Sequence, residues 1–308
     1  MRKRFPRRLR FLLAALAILL VAAGALAGAA WIYLHPSVSR TDGVVYGRRG
    51  ATPLTMDVLR PSHPNGLGIA VMISGGWRSK RAGQTPAALT APLLWAGYTV
   101  FDVCHISQPS STVMEIIEDV HRSIRFIRHN ARRFGIDPAR IGVTGGSAGG
   151  HLSLMLATRG GPGTPDAADP VDRESSAVQA AAIFYPVTDL LNLGPSTENP
   201  GDGGPPVSFV RAFGPDSKNM AIWKKIGRDS SPIYFVDRNL PPILIYHGDA
   251  DTLVPLEQSQ RFRQRAAELG RVVELVVHPG GKHGWPTMIL DERAFVRWFD
   301  RRLKPAHR

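Results

Sequence analysis

Short apolar runs alternate with helical patterns along most of this 308-residue chain. The run "GIAVMISGG" from Gly68 to Gly76 is typical of the strands, because it is apolar on both faces and ends in glycine. The clearest helix carries one apolar stripe at spacings of three and four residues, formed by Ile117, Val120, Ile124, Ile127, Ala131 and Phe134. Buried strands that alternate with helices predict an α/β fold, a doubly wound and mainly parallel sheet covered on both faces.

Two departures from this alternation divide the chain. Near the start, "VVYG" and "LTMDVLRP" predict an opening hairpin. Between two later strands, residues 188–233 form a long segment rich in glycine and proline, and loops of that length in compact domains are usually functional or disordered. We expect one catalytic domain over residues 44–308, with 188–233 as a short cap or lid insertion.

The N-terminal segment has the composition of a membrane-spanning helix or a signal peptide. Residues 1–10 hold six basic side chains and form a cytoplasmic n-region, and residues 11–34 hold no charge. Twenty-four apolar residues can cross a bilayer as a helix and exceed the core of most signal peptides. We expect a single-pass anchor, with the catalytic domain outside the cytoplasm after a linker at 35–43. The alternative is a signal cleaved near Ala25-Leu26-Ala27, which releases a secreted or periplasmic domain.

The basic balance does not indicate a nucleic-acid partner. The net charge is +13, but without the first ten residues it is +7, and no nucleic-acid motif is present. Five arginines in one predicted helix are interpreted as a solvated face: Arg122, Arg125, Arg128, Arg132 and Arg133. Cys104 is the single cysteine, so no internal disulfide can form, and its apolar surroundings predict burial.

The segment "TGGSAGGHLSLMLA" places one serine between a strand and a helix. Gly145, Ser147 and Gly149 match G-x-S-x-G, the sharp turn that exposes a nucleophilic serine at the end of a strand. A flexible hinge would have polar flanks, whereas both flanks here are apolar. We therefore interpret Ser147 as a nucleophile whose hydroxyl lies at the N-terminus of the following helix.

A serine hydroxyl needs a base and a carboxylate that orients the base. The segment "LIYHGDADTLVP" offers Asp249 and Asp251 after a strand, and "HPGGKHGWP" offers His283 after the next strand. Both loops are expected at the edge of the sheet where Ser147 lies. Three other histidines compete less well: His278 lies within a strand, His247 precedes the acid, and His151 on the serine helix is expected to face away.

A third loop at the same edge predicts an oxyanion hole. The strand from Gly68 ends in Ser74-Gly75-Gly76-Trp77, where glycines let backbone N–H groups approach a substrate oxygen. We expect the hole from Gly76 or Trp77 together with Ala148, the residue after the serine. The alternative is an ordinary turn at the end of a strand, without a catalytic role.

With these motifs the chain resembles the α/β-hydrolase superfamily, and within it the esterases related to hormone-sensitive lipase and the bacterial feruloyl-esterase-like (BD-FAE-like) proteins. The resemblance covers about Val44 to Leu303. The family's H-G-x-x-D-x-x-V-P pattern is intact from His247 to Pro255, and it implies that Asp251 rather than Asp249 is the triad acid. Two departures stand out: Ser74 replaces the usual histidine before the glycine pair, and "DVCHI" replaces an aromatic-arginine pair.

The sequence therefore predicts a serine carboxylic-ester hydrolase with the triad Ser147, Asp251 and His283 and no metal or organic cofactor. The short, polar insertion favours short acyl groups on a small-molecule or polymer-borne ester. Two alternatives remain open, a peptidase-like hydrolase on the same fold and a non-catalytic binding protein on a hydrolase scaffold.

Overall fold

The computed structural model describes residues 7–305, so most of the basic segment 1–10 lies outside the described residues. Eight helices are described, α1 Arg7–Leu34, α2 Ala91–Trp95, α3 Val113–His129, α4 Ala131–Phe134, α5 Ala148–Arg159, α6 Met220–Asp229, α7 Glu257–Glu268 and α8 Met288–Leu303. The strands are β1 Val38–Arg49, β2 Thr52–Pro61, β3 Gly68–Met72, β4 Thr99–Val103, β5 Ile141–Gly146, β6 Ala180–Phe184, β7 Ile243–Gly248 and β8 Val273–His278.

The strands form one sheet in the order β1-β2-β4-β3-β5-β6-β7-β8. The pairs from β4 to β8 are parallel, and only β1 with β2 and β2 with β4 are antiparallel. The predicted hairpin is thus the antiparallel edge of a mainly parallel sheet. The order reverses around β3 and β5, which brings the loops after these two strands together at the carboxyl edge.

Each face of the sheet carries its own apolar core. Along β3, Ala70 and Met72 belong to the core packed under α3, α5 and α7, whereas Ile69 and Val71 belong to the core under α2 and α8. Successive side chains of a strand point to opposite faces, so a strand that is buried on both sides must be apolar throughout. The predicted double winding agrees with this arrangement.

The helix α3 begins with a reciprocal cap. The Thr112 hydroxyl accepts a hydrogen bond from the backbone N–H of Glu115, whose carboxylate accepts one from the N–H of Thr112. The predicted stripe continues to Phe134, but the helix is interrupted at Asn130 and resumes as the short α4.

The arginines of this helix do not all form a solvated face, and for two of them that interpretation was wrong. Arg122 binds the carboxylates of Asp169 and Asp172, each at 2.6 Å. Arg128 donates to backbone carbonyls of Pro138, Ser175 and Ala177. Both guanidinium groups therefore fasten the loop after α5 to α3, which a charge count along one helix cannot reveal.

The predicted linker at 35–43 is also wrong in extent. Strand β1 begins at Val38 and pairs with Pro61 of β2, so only residues 35–37 separate α1 from the sheet. Bulges lie between Thr41 and Val44 and between Val45 and Gly47, and they hide the alternation by which a strand is recognised.

Helix α1 holds the apolar segment 11–34. Phe11–Leu34 is long and apolar enough to cross a membrane, and none of its most apolar stretch is buried in the protein. A membrane anchor and a signal sequence both have this form.

The segment 188–233 is less polar inside than its sequence suggests. It contains α6 and several 3₁₀ turns, and it buries Leu190, Phe213 and Trp223 against the domain. The Gln258 side chain binds the backbone of Thr188 and Asp189 at its start, and the Ser231 hydroxyl, which accepts from the N–H of Leu190, joins its two ends.

Candidate active site

Ser147 lies at the turn between β5 and α5 with φ of 55° and ψ of −123°. A non-glycine residue adopts positive φ only at a cost, so the surrounding packing must hold it there. The flanking glycines make that packing possible: a Cβ on Gly149 would lie 2.3 Å from the Met72 carbonyl oxygen, and one on Gly145 would lie 2.6 Å from the backbone of Gly149. The serine thus lies on a tight bend that a side chain at either glycine would obstruct.

Three predicted residues meet at this bend. The Nε2 atom of His283 lies 2.8 Å from the Ser147 Oγ, and its Nδ1 atom lies 2.8 Å from Asp251 Oδ2. A carboxylate only accepts, so the Nδ1–H donates to Asp251, which leaves Nε2 to accept the serine proton. The three side chains come from the loops after β5, β7 and β8, as the chain order predicted.

Asp251 is held as an anion. Burial would raise its pKa, but the His247 ring 3.6 Å away and hydrogen bonds from His283 and the Val254 N–H outweigh burial and hold the pKa of Asp251 below its usual range. Its Oδ1 accepts the N–H groups of Leu253 and Val254, both at 3.0 Å. Asp249 instead accepts the N–H of Gly280 at 2.7 Å and does not contact His283.

The loop after β3 forms a two-residue reverse turn. Gly75 and Arg78 exchange backbone hydrogen bonds of 2.9 and 3.0 Å, and the central residues Gly76 and Trp77 have φ of 54° and 56°. Positive φ at both central positions defines a type I′ turn. Within residues 7–305, no acceptor binds the backbone N–H of Gly76, of Trp77 or of Ala148. These residues, which the sequence analysis assigned to an oxyanion hole, border the same cavity as Ser147.

The carbonyls of this turn are held from behind by Gln108. Its N–H donates to the Trp77 carbonyl at 3.0 Å, and its side-chain amide donates to the Gly76 carbonyl at 3.4 Å. The C=O and N–H of a trans peptide point in opposite directions, so a tethered Gly76 carbonyl aims the Trp77 N–H the other way. Gln108 therefore orients a donor that it does not touch.

Both departures from the family pattern take part in this bracing. Ser74, in place of the usual histidine, lies with its Oγ 2.9 Å from Nε2 of His105, which belongs to the altered "DVCHI" segment. The other ring nitrogen, Nδ1, donates to the Ile106 carbonyl, so Nε2 accepts a hydrogen bond from the Ser74 hydroxyl. Burial lowers the pKa of His105 to about 4, which keeps the ring neutral.

The side chain of His151 makes no hydrogen bond with Ser147, and it binds two other groups instead. Its Nδ1 accepts the indole N–H of Trp77 at 3.2 Å, and its Nε2 donates to the Ser230 carbonyl at 2.6 Å. Burial lowers the pKa of His151 to about 4. The ring therefore joins the type I′ turn at Gly76-Trp77 to the end of the segment 188–233.

The site opens into a cavity of about 420 Å³. The segment 188–233 and the loop after β7 supply most of the apolar wall, namely Leu190, Leu193, Pro206, Phe209 and Leu253. Tyr185 forms another part of the wall, with its ring centroid 4.5 Å from that of His283. Burial and the charge of Asp251 raise the pKa of Tyr185 to about 12, so its hydroxyl remains neutral.

Sequence reasoning did not find four of these residues: Tyr185, Gln108, His105 as a partner of Ser74, and His151 as a partner of Trp77. Tyr185 had one available signal, because it follows β6 directly at the carboxyl edge of the sheet. The other three act through residues at least 31 positions away, a separation that leaves no periodic pattern.

Comparison with known families and proteins supports an α/β-hydrolase fold of the esterase type. The sequence model of the BD-FAE family matches residues 56–266. Esterase LipQ of Mycobacterium tuberculosis is 31% identical over 240 residues, which are 75% of this chain and 54% of LipQ. The isoprenylcysteine alpha-carbonyl methylesterase ICME of Arabidopsis thaliana is 24% identical over 246 residues, 78% of this chain and 55% of that protein. The chain spans about half the length of the curated relatives it matches.

Solved structures of two sugar-ester enzymes have the same fold. A truncated form of a carbohydrate esterase from gut microbiota superposes with a TM-score of 0.70 at 25% identity, covering 86% of this chain and 97% of that one. An acetyl ester-xyloside bifunctional hydrolase from Caldicellulosiruptor lactoaceticus superposes with a TM-score of 0.67 at 25% identity, with the same coverage.

Proposed function

Because this chain belongs to the BD-FAE family of α/β-hydrolases, we propose that it is a serine carboxylesterase with Ser147 as the nucleophile. The observation that carries the proposal is the continuous hydrogen-bond chain from Asp251 through His283 to Ser147, each link 2.8 Å long, at the wall of an apolar cavity. The esterase names of the relatives support the same reaction.

In the first half of the reaction, Ser147 attacks the ester carbonyl carbon while Nε2 of His283 takes the hydroxyl proton. The imidazolium that forms is stabilised by the anionic Asp251, whose hydrogen bond also fixes the ring in the tautomer that can accept. The histidine then returns the proton to the leaving alcohol. In the second half a water molecule attacks the acyl-serine by the same route and releases the acid.

The negative charge that develops on the carbonyl oxygen is met by backbone donors. The N–H of Ala148 lies at the N-terminus of α5, and the N–H groups of Gly76 and Trp77 project from the type I′ turn. Donors that are fixed before the reaction need no reorganisation, and loss of one such donor costs roughly 10²–10³-fold in kcat in related chemistry.

We expect preference for short acyl groups. The cavity of about 420 Å³ must hold the acyl group and the first part of the alcohol, and side chains of the segment 188–233 close it on one side. A palmitoyl chain gains about 0.8 kcal/mol per CH₂ only where an apolar wall covers it. Acetyl to butyryl groups on a sugar or polymer suit this space, and the names of the two similar sugar-ester enzymes support such a carrier.

The test is kcat/KM over p-nitrophenyl acetate, butyrate, octanoate and palmitate, run beside an acetylated polysaccharide and a feruloyl ester. Values should fall with chain length, and the Ser147→Ala variant should be inactive on every substrate. Rising values toward palmitate would show that the segment 188–233 acts as a lipase-type lid. An active Ser147→Ala variant would refute the proposed nucleophile.

For the N-terminal helix we propose an uncleaved anchor that holds the catalytic domain at the outer face of a cell membrane. The length and exposure of Phe11–Leu34 support this arrangement. Full-length chain should sediment with membranes and expose its domain to external protease, whereas soluble chain that begins near Gly28 would establish a cleaved signal.

A further inference from the structure

The connection between α1 and the catalytic domain is too short to let the domain move freely. Only residues 35–37 separate the end of α1 from β1, and three residues reach at most about 10 Å. If α1 spans a bilayer, the domain surface around residue 34 must lie at the lipid headgroups.

Two side chains of that surface bind Tyr33 near the end of α1. The indole N–H of Trp95 donates to the Tyr33 carbonyl at 2.8 Å, and the Arg293 Nε donates to the Tyr33 hydroxyl at 3.1 Å. The Arg293 guanidinium also lies over the Tyr33 ring, 4.9 Å from its centroid. Contacts from both α2 and α8 therefore fix how the domain is turned relative to the helix.

Three large apolar side chains on this surface are exposed. Leu89, Trp95 and Leu290 are each about half exposed, at 51%, 52% and 49%. Leu89 belongs to a 3₁₀ turn that contacts α1, and Leu290 lies in the first turn of α8. Indole and leucine side chains at the level of the headgroups gain free energy by entering the interface, where Trp and Tyr are enriched.

Positive charge accompanies this apolar surface. Leu290, Arg293 and Arg297 follow one another at i, i+3 and i+7 on α8, and all three are exposed. Residues with this spacing share one face of a helix. Basic side chains near an anionic membrane surface are attracted to it.

We propose that the face formed by Leu89, Trp95, Leu290, Arg293 and Arg297 docks on an anionic lipid bilayer. The proposal rests on the anchor proposed above, and it adds a second membrane contact made by the catalytic domain itself. The domain is then a peripheral as well as a tethered membrane protein, with one fixed face against lipid.

The test uses the full-length chain in lipid nanodiscs that contain anionic lipid. The single native cysteine, Cys104, is buried, so introduced surface cysteines can be labelled selectively. An environment-sensitive fluorophore is placed at Leu89→Cys and at Leu290→Cys. Matched controls are Val207→Cys and Ile222→Cys, which are 52% and 41% exposed on the segment 188–233.

We expect the labels at 89 and 290 to lose quenching by aqueous iodide and to gain quenching by lipids that carry a spin label near the headgroup. The control labels should behave in the opposite way. Arg293→Gln with Arg297→Gln, or nanodiscs of purely zwitterionic lipid, should reduce the lipid quenching at 89 and 290.

Two outcomes overturn the proposal separately from the anchor. If the chain stays in the nanodisc but both labels remain open to iodide, the domain does not dock and the anchor stands. If both labels are shielded from iodide and from the lipid quencher, α1 covers the face and lipid does not. Failure of the intact chain to stay in the nanodisc refutes the anchor and the docking face together.

Discussion

Replacement of Asp251 by asparagine is the sharpest test of the proposed triad, because the structure fixes how the new side chain must lie. Oδ1 of Asp251 accepts two backbone N–H groups, from Leu253 and Val254. An asparagine must keep its oxygen at these donors and therefore turns its NH₂ group toward His283. Nδ1 of that ring would then have to accept, which moves the ring proton to Nε2, facing Ser147.

A histidine in that tautomer cannot take a proton from the serine. In triads of this geometry the same exchange lowers kcat about 10⁴-fold, which corresponds to about 5 kcal/mol in the activation free energy. We expect that loss in Asp251→Asn, with KM for p-nitrophenyl butyrate nearly unchanged. Circular dichroism and thermal unfolding should show a folded protein, since the side-chain volume is conserved.

The matched control is Asp249→Asn in the same loop. Asp249 accepts only the N–H of Gly280, and an asparagine oxygen can replace it there. Its kcat should therefore stay close to that of the wild type. Equal losses in the two variants, or a larger loss at position 249, would refute the assignment of Asp251 as the acid.

Three further outcomes are expected. Ser147→Ala should remove ester hydrolysis without unfolding the protein, as judged by kcat and thermal unfolding. Gly149→Ala should lower the unfolding free energy by about 1–3 kcal/mol through the clash with Met72, whereas Gly161→Ala, with open space around its Cβ, should not; urea unfolding measures both. Burial lowers the pKa of His151 to about 4, below its unfolded value of about 6.5. Between these two pH values the unfolded state therefore binds more protons than the folded state. The unfolding free energy should be highest above about pH 6.5 and fall as the pH drops toward 4, with this ring contributing at most about 3 kcal/mol to the fall. The pH dependence should be shallower in His151→Gln, and an unchanged dependence would contradict the reasoning.

The features of the fold that depend on one contiguous segment of sequence could be predicted. The elbow at Ser147 could be predicted because glycine spacing, a preceding strand and a following helix occupy one contiguous segment. The parallel sheet followed from runs that are apolar on both faces. The choice between Asp249 and Asp251 could not be made from the residues alone, since both follow β7 and only the family pattern distinguished them.

The β-bulges and the contacts between residues distant in the sequence could not be predicted. The two bulges of β1 disguised a strand as a linker, because each bulge shifts the side-chain alternation by one residue. The bracing of Ser74 and of the following type I′ turn by His105 and Gln108 depends on side chains about thirty residues away in the sequence. Such pairs become visible only when β3 and β4 are placed side by side.

The two fixed ends of the segment 188–233 make it exchangeable. Gln258 holds its first residues, and its last turn is tied through the Ser230 carbonyl to His151 and thereby to Trp77. Between these ties the segment supplies cavity wall such as Leu190 and Phe209 but no triad or oxyanion group. Protein engineers could therefore graft foreign loops between positions 191 and 229 to reshape this cavity, provided that both ties are retained.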